Sequence, residues 1–230
     1  MKVFAISDLH LSANVDKPMN IFGGAWDNYW EVIQNNWKSV VSEDDIVLIA
    51  GDISWAMTLE DAKADIEEIG RLPGKKVIIR GNHDYWWNTI SRVREILPQN
   101  MYAVQNDSIK FGEYIIFGSR GWACPDKEYT DDDMKIYLRE TERTKLAIAS
   151  ALKQKTDGDK LIAMIHFPPF NVRREESNFT KLYEENNIDC VVYGHLHGKN
   201  ARSDLKVNYN GITYYLTSCD LVYNNLIRIY

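Results

Sequence analysis

The sequence predicts an α/β fold in which two stacked, mixed β-sheets are flanked by helices, a four-layer α/β/β/α sandwich. Short apolar runs of the kind found in buried strands alternate with amphipathic helical patterns along the chain. Two hairpin signals, in the middle and near the end, predict a second sheet that is more antiparallel. With 230 residues, of which 45% are hydrophobic, the chain can bury a sizeable core. We therefore expect a single domain over residues 1–230.

Six short apolar runs are predicted to be strands. They are Val3–Ile6, Ile46–Ala50, Lys76–Arg80, Tyr114–Gly118, Leu161–Ile165 and Cys190–Tyr193. The first hairpin turns at Phe111-Gly112-Glu113-Tyr114, and the second turns at Asn210-Gly211 between Leu205–Tyr209 and Ile212–Thr217. Leu226–Tyr230 is predicted to join these hairpins in the second sheet.

Five helices are predicted between the strands. In the first, apolar residues recur at helical spacing from Trp30 to Val41, and Asp27 is predicted to cap its start. The second opens at Thr58 with a capping-box-like pattern and stops at Pro73-Gly74. The other three run from about Thr89 to Leu97, from Asp131 to about Lys155 and from Asn178 to Asn187.

Charge and cysteine content exclude several classes of protein. Lys and Arg number 27 against 33 Asp and Glu, so the net charge of −6 disfavours binding to nucleic acid or an anionic membrane. Three cysteines without CxxC spacing predict buried small side chains, not a disulfide framework or a thiolate zinc site. No segment has the length of a membrane span or a signal-peptide core, which predicts a cytoplasmic protein. The sequence does not indicate an oligomeric state.

Polar residues that can bind metals follow five of the predicted strands. The motifs are Asp8-Leu9-His10, Gly51-Asp52, Gly81-Asn82-His83-Asp84, Ile165-His166 and Gly194-His195-Leu196-His197. Each motif alone is weak, since a lone histidine after a strand is more often structural and two loop histidines are often solvated. Parallel strands, however, hold their sites at their carboxyl ends, where these side chains would converge. Carboxylate, amide and imidazole groups together predict a two-metal hydrolytic centre.

The order of these motifs resembles the calcineurin-like metallophosphoesterase superfamily, whose pattern is D-x-H, G-D, G-N-H-D, H and G-H-x-H. The match covers most of the chain, from Asp8 to His197. The resemblance implies a set of ligands for two metal ions. Asp8, His10 and His197 would hold one ion, Asn82, His166 and His195 would hold the other, and Asp52 would bridge them.

The resemblance also implies an activity, namely hydrolysis of a small phosphorylated substrate by in-line attack of a hydroxide that bridges the metals. His83 would protonate the leaving group, and Asp84 would orient its ring or serve as a loop or helix cap. A donor set without thiolate suits two divalent or mixed-valence ions of Mn²⁺, Fe or Zn²⁺. A preference for monoesters or diesters is not visible in the sequence.

Departures from the superfamily pattern reduce the number of subfamilies that the chain resembles. Trp55 stands where protein Ser/Thr phosphatases and many cyclic-nucleotide phosphodiesterases carry a second Asp. The start Ser7–Ser12 is similar to pyrophosphatases that cleave a UDP-linked sugar, but those enzymes carry Arg at the position of His83. A small bacterial phosphoesterase fits best, with a cyclic-nucleotide or nucleoside-diphosphate-sugar phosphodiesterase as the alternative. A catalytically idle protein-binding scaffold is disfavoured because all seven ligand positions are filled.

Residues outside the motifs leave substrate choice open. Arg120 lies just after the strand Tyr114–Ser119, and Arg173 and Arg174 follow His166 in its loop. Each arginine either contacts a phosphate or lies solvated at the surface. Four tryptophans near the motifs either wall a substrate pocket or pack around the loops. They are Trp55, Trp86, Trp87 and Trp122.

Overall fold

The computed structural model describes residues 1–198, 201 and 203–230, which form eleven strands and five α-helices. The strands are β1 (Val3–Ile6), β2 (Ile46–Ile49), β3 (Lys75–Ile78), β4 (Met101–Ala103), β5 (Asp107–Phe111), β6 (Tyr114–Ser119), β7 (Lys160–Ile165), β8 (Cys190–Tyr193), β9 (Lys206–Tyr209), β10 (Ile212–Leu216) and β11 (Ile227–Arg228). The helices are α1 (Tyr29–Val40), α2 (Leu59–Gly70), α3 (Ile90–Ile96), α4 (Asp131–Leu152) and α5 (Asn178–Glu185). All six predicted strands and all five predicted helices are present, with ends shifted by a few residues.

The first sheet has the strand order β11-β1-β2-β3-β4. Strands β1 to β4 are parallel, and β11 pairs antiparallel with β1, opposite Phe4 and Ala5. The expectation that Leu226–Tyr230 joins the hairpins in the second sheet is therefore wrong. Strand β4 was not predicted, because Met101–Ala103 is only three residues long and lacks a distinct apolar run.

The second sheet has the order β5-β6-β7-β8-β10-β9. Its four inner strands are parallel, and each predicted hairpin adds one antiparallel strand at an edge. Both sheets are thus mixed, as predicted, and the antiparallel pairs are confined to the edges. This parallel core directs the carboxyl ends of β6, β7, β8 and β10 to one side of the sheet.

Successive strand residues alternate between two buried environments, which defines the layers. Phe4 and Ile6 in β1 pack with α1 to α3, whereas Val3 and Ala5 pack against the second sheet. Strands of the second sheet alternate in the same way between the other sheet and the helices α4 and α5. The order helix, sheet, sheet, helix confirms the predicted four-layer sandwich.

Helix starts follow local hydrogen bonding. The hydroxyl of Thr58 accepts the backbone N–H of Asp61, which confirms it as the cap of α2. The prediction that Asp27 caps α1 is wrong: Asn28 occupies the capping position with φ of 50° and makes no side-chain cap bond. Thr130 and Asp133 form a reciprocal capping box at the start of α4.

None of the helices in the described part of the chain is long and apolar enough to cross a membrane. The cysteines, Cys124, Cys190 and Cys219, are buried and free, as expected for small apolar side chains.

Candidate metal centre

The five motifs meet where the carboxyl ends of the two sheets come together. Asp8 follows β1, Asp52 follows β2 and Asn82 follows β3, while His166 and His195 follow β7 and β8 of the other sheet. Backbone bonds tie the loops to one another: Asp8 N–H donates to Gly51 O at 2.9 Å, and His195 N–H donates to the Asp8 carboxylate at 3.0 Å. Stacking of the two sheets thus brings residues that are far apart in the sequence into one cluster.

Four of the predicted ligand residues adopt a left-handed backbone. The φ angles are 59° at Asp8, 47° at His10, 51° at Asp52 and 73° at His195. This region is unfavourable for residues other than glycine and persists only where the surrounding structure enforces it. Such strained residues concentrate at functional sites, and four in one cluster mark these loops as specialised.

The seven predicted ligand side chains form a continuous series of close contacts. Asp8 Oδ1 lies 3.2 Å from His197 Nε2, which lies 3.3 Å from His10 Nε2, which in turn lies 3.8 Å from Asp52 Oδ2. The series continues from Asp52 Oδ2 to His166 Nε2 at 3.4 Å. Asn82 Oδ1 completes it, 2.7 Å from His166 Nε2 and 2.8 Å from His195 Nδ1.

The spacing within this cluster fits coordination of a metal ion. One potential ligand atom from each of Asp8, His10, Asp52 and His197 lies within 4.8 Å of every other. Ligand atoms about 2.1 Å from a tetrahedral ion lie roughly 3.4 Å apart, which matches the 3.2–3.8 Å separations in this series. The donors are carboxylate and imidazole groups that are buried or half-buried, so a cation would meet few competing waters.

Asp52 lies between the two halves of the cluster. The same oxygen, Oδ2, faces His10 on one side at 3.8 Å and His166 on the other at 3.4 Å. Its second oxygen, Oδ1, accepts the backbone N–H of His83 at 2.8 Å and is thereby held in place. A carboxylate in this position can contact two ions at once.

Close approach of the loops depends on glycine at two positions. A Cβ atom at Gly194 would collide with the carboxylate of Asp8 and the hydroxyl of Ser7. A Cβ atom at Gly81 would collide with the carboxylate and backbone of Asp52. The glycines of the G-N-H-D and G-H-x-H motifs therefore make room for the two carboxylates.

Hydrogen bonds from outside the motifs fix the orientation of two imidazoles. His197 Nδ1 lies 3.0 Å from Asp220 Oδ1, and the other oxygen of Asp220 accepts the N–H of Gly198 at 2.7 Å. His166 Nδ1 lies 2.9 Å from Ala50 O. Partners of this kind set the tautomer and ring orientation of ligand histidines. Asp220 was missed from the sequence, although it also follows a strand, β10.

Protonation of the cluster follows from burial and from the opposing charges. Burial opposes ionisation of Asp8, but His197, His166 and His10 outweigh it and hold its pKa well below the usual range. Burial lowers the pKa of His166 and His197, yet the adjacent carboxylates outweigh it and raise the values to about 9 and about 10. For His10 and His195 burial dominates, and their pKa falls to about 4.

Of the two roles expected for Asp84, its contacts match the loop cap: the carboxylate anchors two loops and makes no hydrogen bond to His83 in the described part of the chain. Its carboxylate is fully buried and accepts five N–H bonds of 2.7–3.2 Å. The donors are the backbone N–H groups of Asp52, Ile53, Ser54 and Gly81 and the indole of Trp86. Burial and the nearby Asp52 raise the pKa of Asp84 to about 6 despite these bonds.

His83 lies at the border between the cluster and solvent. Its Nδ1 is 3.4 Å from the hydroxyl of Tyr85, and its ring centroid is 4.6 Å from Trp55 and 5.7 Å from His10. Burial lowers the pKa of His83. Of the five histidines, it is the one outside the series of ligand contacts and beside the cluster.

Some tryptophans lie beside the ligand cluster, and others pack in the core. Trp55 stacks on the ring of His10, with centroids 4.6 Å apart and planes inclined by 18°, and Lys17 Nζ lies 3.1 Å from the centroid of the Trp55 ring. Trp86 and Trp87 are buried and donate to Asp84 and Gln105, which indicates a packing role. Trp26, which the sequence did not single out, lies 5.8 Å from His197 and 6.0 Å from His10. Trp122 packs on Phe167, next to His195.

The exposed arginines after His166 bond to nearby acids. Arg173 pairs with Glu175 at 2.9 Å and with Asp126 at 3.3 Å, and Arg174 pairs with Asp204. These contacts favour the solvated surface role for both. Arg120 differs, since it is largely buried and lies over Trp122 at 4.9 Å.

Comparison with known proteins identifies similar chains. A family model described as calcineurin-like phosphoesterase matches residues 1–199. The uncharacterised protein MJ1445 of Methanocaldococcus jannaschii is 36% identical over 122 residues, which cover 51% of this chain and 68% of that protein. TT1561 of Thermus thermophilus has a TM-score of 0.61 at 13% identity, covering 98% of this chain and 96% of that chain. AQ665, a protein of unknown function from Aquifex aeolicus, has a TM-score of 0.52 at 16% identity, covering 99% and 95%.

Proposed function

Because the chain belongs to the calcineurin-like phosphoesterase family, we propose that it hydrolyses a small phosphorylated substrate with two divalent ions. Asp8, His10 and His197 would hold one ion, Asn82, His166 and His195 would hold the other, and Asp52 would serve both. Two ions at such a centre activate water for in-line attack on phosphorus and stabilise the charge that develops on the oxygens. Mn²⁺, Fe or Zn²⁺ suit the mixed carboxylate, amide and imidazole donors.

The observation that carries this proposal is the position of Asp52 Oδ2 between His10 and His166. A single carboxylate oxygen shared by two sets of nitrogen and oxygen donors is an arrangement that can serve two ions at once. The surrounding residues complete the environment: Asp220 and the Ala50 carbonyl orient the imidazoles, and Trp55 covers one face of His10. A protein that only bound a partner would have no use for this arrangement.

Metal analysis combined with a turnover assay tests the proposal. Purified protein is expected to contain about two ions per chain and to hydrolyse bis-p-nitrophenyl phosphate with Mn²⁺. A panel of phosphomonoesters, cyclic nucleotides, nucleoside diphosphate sugars and dinucleotides then ranks the substrate classes. Protein that takes up no metal and turns over none of these esters would contradict the proposal and favour a scaffold on the same fold.

Metal binding is expected to release protons. His166 and His197, with pKa values raised to about 9 and about 10, carry protons at neutral pH, and imidazole must lose its proton to bind an ion. Loading should therefore release about two protons at about pH 7.5, and affinity should rise with pH toward these values. Titration calorimetry with Mn²⁺ in buffers of different ionisation enthalpy measures the release. A heat that is the same in every buffer would show that these histidines are neutral before metal binds.

We propose that His83 supplies the proton to the leaving-group oxygen. Its ring lies next to the cluster without belonging to the series of ligand contacts, and its backbone N–H is fixed by Asp52 Oδ1 at 2.8 Å. Burial lowers the pKa of His83, but a phosphoryl anion beside the ring favours the charged form and opposes that shift. The residue can therefore acquire its proton when substrate binds.

The His83→Ala variant is expected to keep its metal and to lose turnover by about 100-fold or more for substrates with poor leaving groups. Esters of p-nitrophenol, whose leaving group needs no proton, should lose much less. The measurement is kcat/KM for aryl phosphates of graded leaving-group pKa, together with metal content. An equal loss across the series would argue against a role as the acid, and loss of metal would place His83 among the ligands.

A further inference from the structure

A second charged site lies beside the metal centre, in a cavity of about 240 Å³ at the carboxyl ends of β3 and β6. Its charged lining consists of Arg80, Arg120, Arg139, Arg143 and Glu140, so four positive charges face one negative charge, a net of +3. The rest of the lining is uncharged: Val104, Gln105, Asn106 and Ser119. This concentration of positive charge stands out in a chain whose net charge is −6.

The single carboxylate does not satisfy the arginines. Glu140 is 1% exposed and bonds Arg143 at 2.6 Å through Oε1, whereas Arg120 and Arg139 approach the same oxygen only to 3.7 Å. The Nε atoms of Arg80 and Arg120 are buried, and neither has a hydrogen-bond partner among the residues that the structure describes. Oε2 of Glu140 is also buried without a partner, so it accepts from none of these arginines. Buried guanidinium donors without acceptors are costly, and a bound anion would relieve that cost.

The arginines also repel one another. Arg120 Nη2 and Arg139 Nε both lie 3.7 Å from Oε1 of Glu140, and Arg143 Nη1 lies 2.6 Å from it, so three guanidinium groups crowd around one carboxylate oxygen. Elements from both sheets and α4 converge to create this repulsion, since Arg80 follows β3, Arg120 follows β6 and the other two lie on α4. A fold that needed only stability would replace one of these arginines with a neutral residue.

We propose that this cavity is a second anion site that binds a phosphate group between Arg80, Arg120 and the arginines of α4. Guanidinium groups match phosphate oxygens bidentately, and several of them around one cavity suit a dianion. The choice of phosphate over other oxyanions rests on the proposed function. The ligand is either a free phosphate or a second phosphate group of the substrate.

The site is linked to the candidate metal centre through two loops but is built from different residues. The backbone carbonyl of Arg120 accepts the N–H of His166 at 3.0 Å, and Arg80 precedes Asn82 by two residues. Occupancy of the cavity can therefore influence the loops that carry these two side chains. No residue of the cavity lining belongs to the predicted ligand set.

Titration of the full chain, loaded with Mn²⁺, with inorganic phosphate tests the proposal by stoichiometry. Wild type is expected to bind two phosphates, one at the metal centre and one in the cavity. In Arg80→Gln the cavity affinity should fall by about tenfold or more, because a cavity donor is removed without breaking an existing bond. At phosphate concentrations that just saturate wild type, this variant should therefore bind only the phosphate at the metal centre. Asp52→Asn, which disables the metal centre, should also bind one. Arg71→Gln removes an exposed arginine at the end of α2 and should match wild type.

The outcomes separate this proposal from the proposed function. If the chain binds no metal, wild type should still bind one phosphate and Arg80→Gln should lose it. Equal phosphate binding by Arg80→Gln and wild type would overturn the anion site, as would equal losses in Arg80→Gln and Arg71→Gln. A cooperative thermal unfolding transition like that of wild type would confirm that Arg80→Gln is folded.

The source of the phosphate group follows from kinetics with two probes, p-nitrophenyl phosphate and fructose 1,6-bisphosphate. If Arg80→Gln raises the KM for the bisphosphate more than for the monophosphate, the cavity holds the distal phosphate of a substrate. If the two KM values change by the same factor while cavity binding of phosphate is lost, the cavity holds a separate anion.

Discussion

The Asp52→Asn variant is expected to lose affinity for both ions and to lower phosphoester turnover by about 1,000-fold. The amide keeps the shape of the side chain but removes the charge that faces His10 and His166 from Oδ2. With its carbonyl held by the N–H of His83 at the Oδ1 position, the amide would point its NH₂ group, which cannot bind a cation, at both half-sites. A loss in turnover of about 1,000-fold corresponds to several kcal/mol less stabilisation of the transition state by the ions.

The matched control is Asp45→Asn, beside the same strand. Asp45 is also a buried carboxylate that accepts backbone N–H groups, from Lys2 and Ser42, but it lies at the amino end of β2, opposite the metal centre. Metal content by mass spectrometry and turnover of bis-p-nitrophenyl phosphate are measured for both variants. Wild-type affinity for either ion in Asp52→Asn would show that Asp52 does not bridge.

The strands and the residues that follow them could be predicted from sequence because both depend on local signals. A short apolar run that ends in Gly-Asp or Gly-Asn-His-Asp carries information about the strand, the tight turn and the polar group together. The rule that sites lie at carboxyl ends of parallel strands then places Asp8, Asp52 and His166 on one side. Those predictions needed no knowledge of which strands are neighbours.

The contribution of Asp220 could not be predicted in the same way. It follows β10, which pairs with β8, and β9 lies outside that pair at the edge. Only this non-sequential order, together with the bridge between Ser7 and Ser218, brings Asp220 beside His197. The wrong prediction for the C-terminal strand has the same cause, because the pairing of β11 with β1 depends on the arrangement of the whole chain.

Asp84 makes no hydrogen bond to His83, and the reason is local. Adjacent residues in a tight turn direct their side chains apart, and the carboxylate of Asp84 turns back to the N–H of Gly81, three residues earlier. From there it reaches the N–H groups that follow Asp52. Sequence proximity to a catalytic candidate suggested a role in chemistry, whereas the contacts indicate a role in holding together two loops that carry candidate ligands.

The Asp84→Asn variant is therefore expected to lower the free energy of unfolding by about 2 kcal/mol or more. A carboxylate accepts all five N–H groups, but the amide replaces one oxygen with a donor that faces other donors, at a cost of roughly 1–3 kcal/mol for each unsatisfied group. Asp45→Asn, which affects only the two N–H groups of Lys2 and Ser42, should lose less. Urea denaturation of both variants and wild type measures the difference. If Asp84→Asn kept wild-type stability and lost turnover only for poor leaving groups, Asp84 would act through His83. A large loss of stability, with reduced affinity for both ions, would instead show that Asp84 holds the loops of the centre in place.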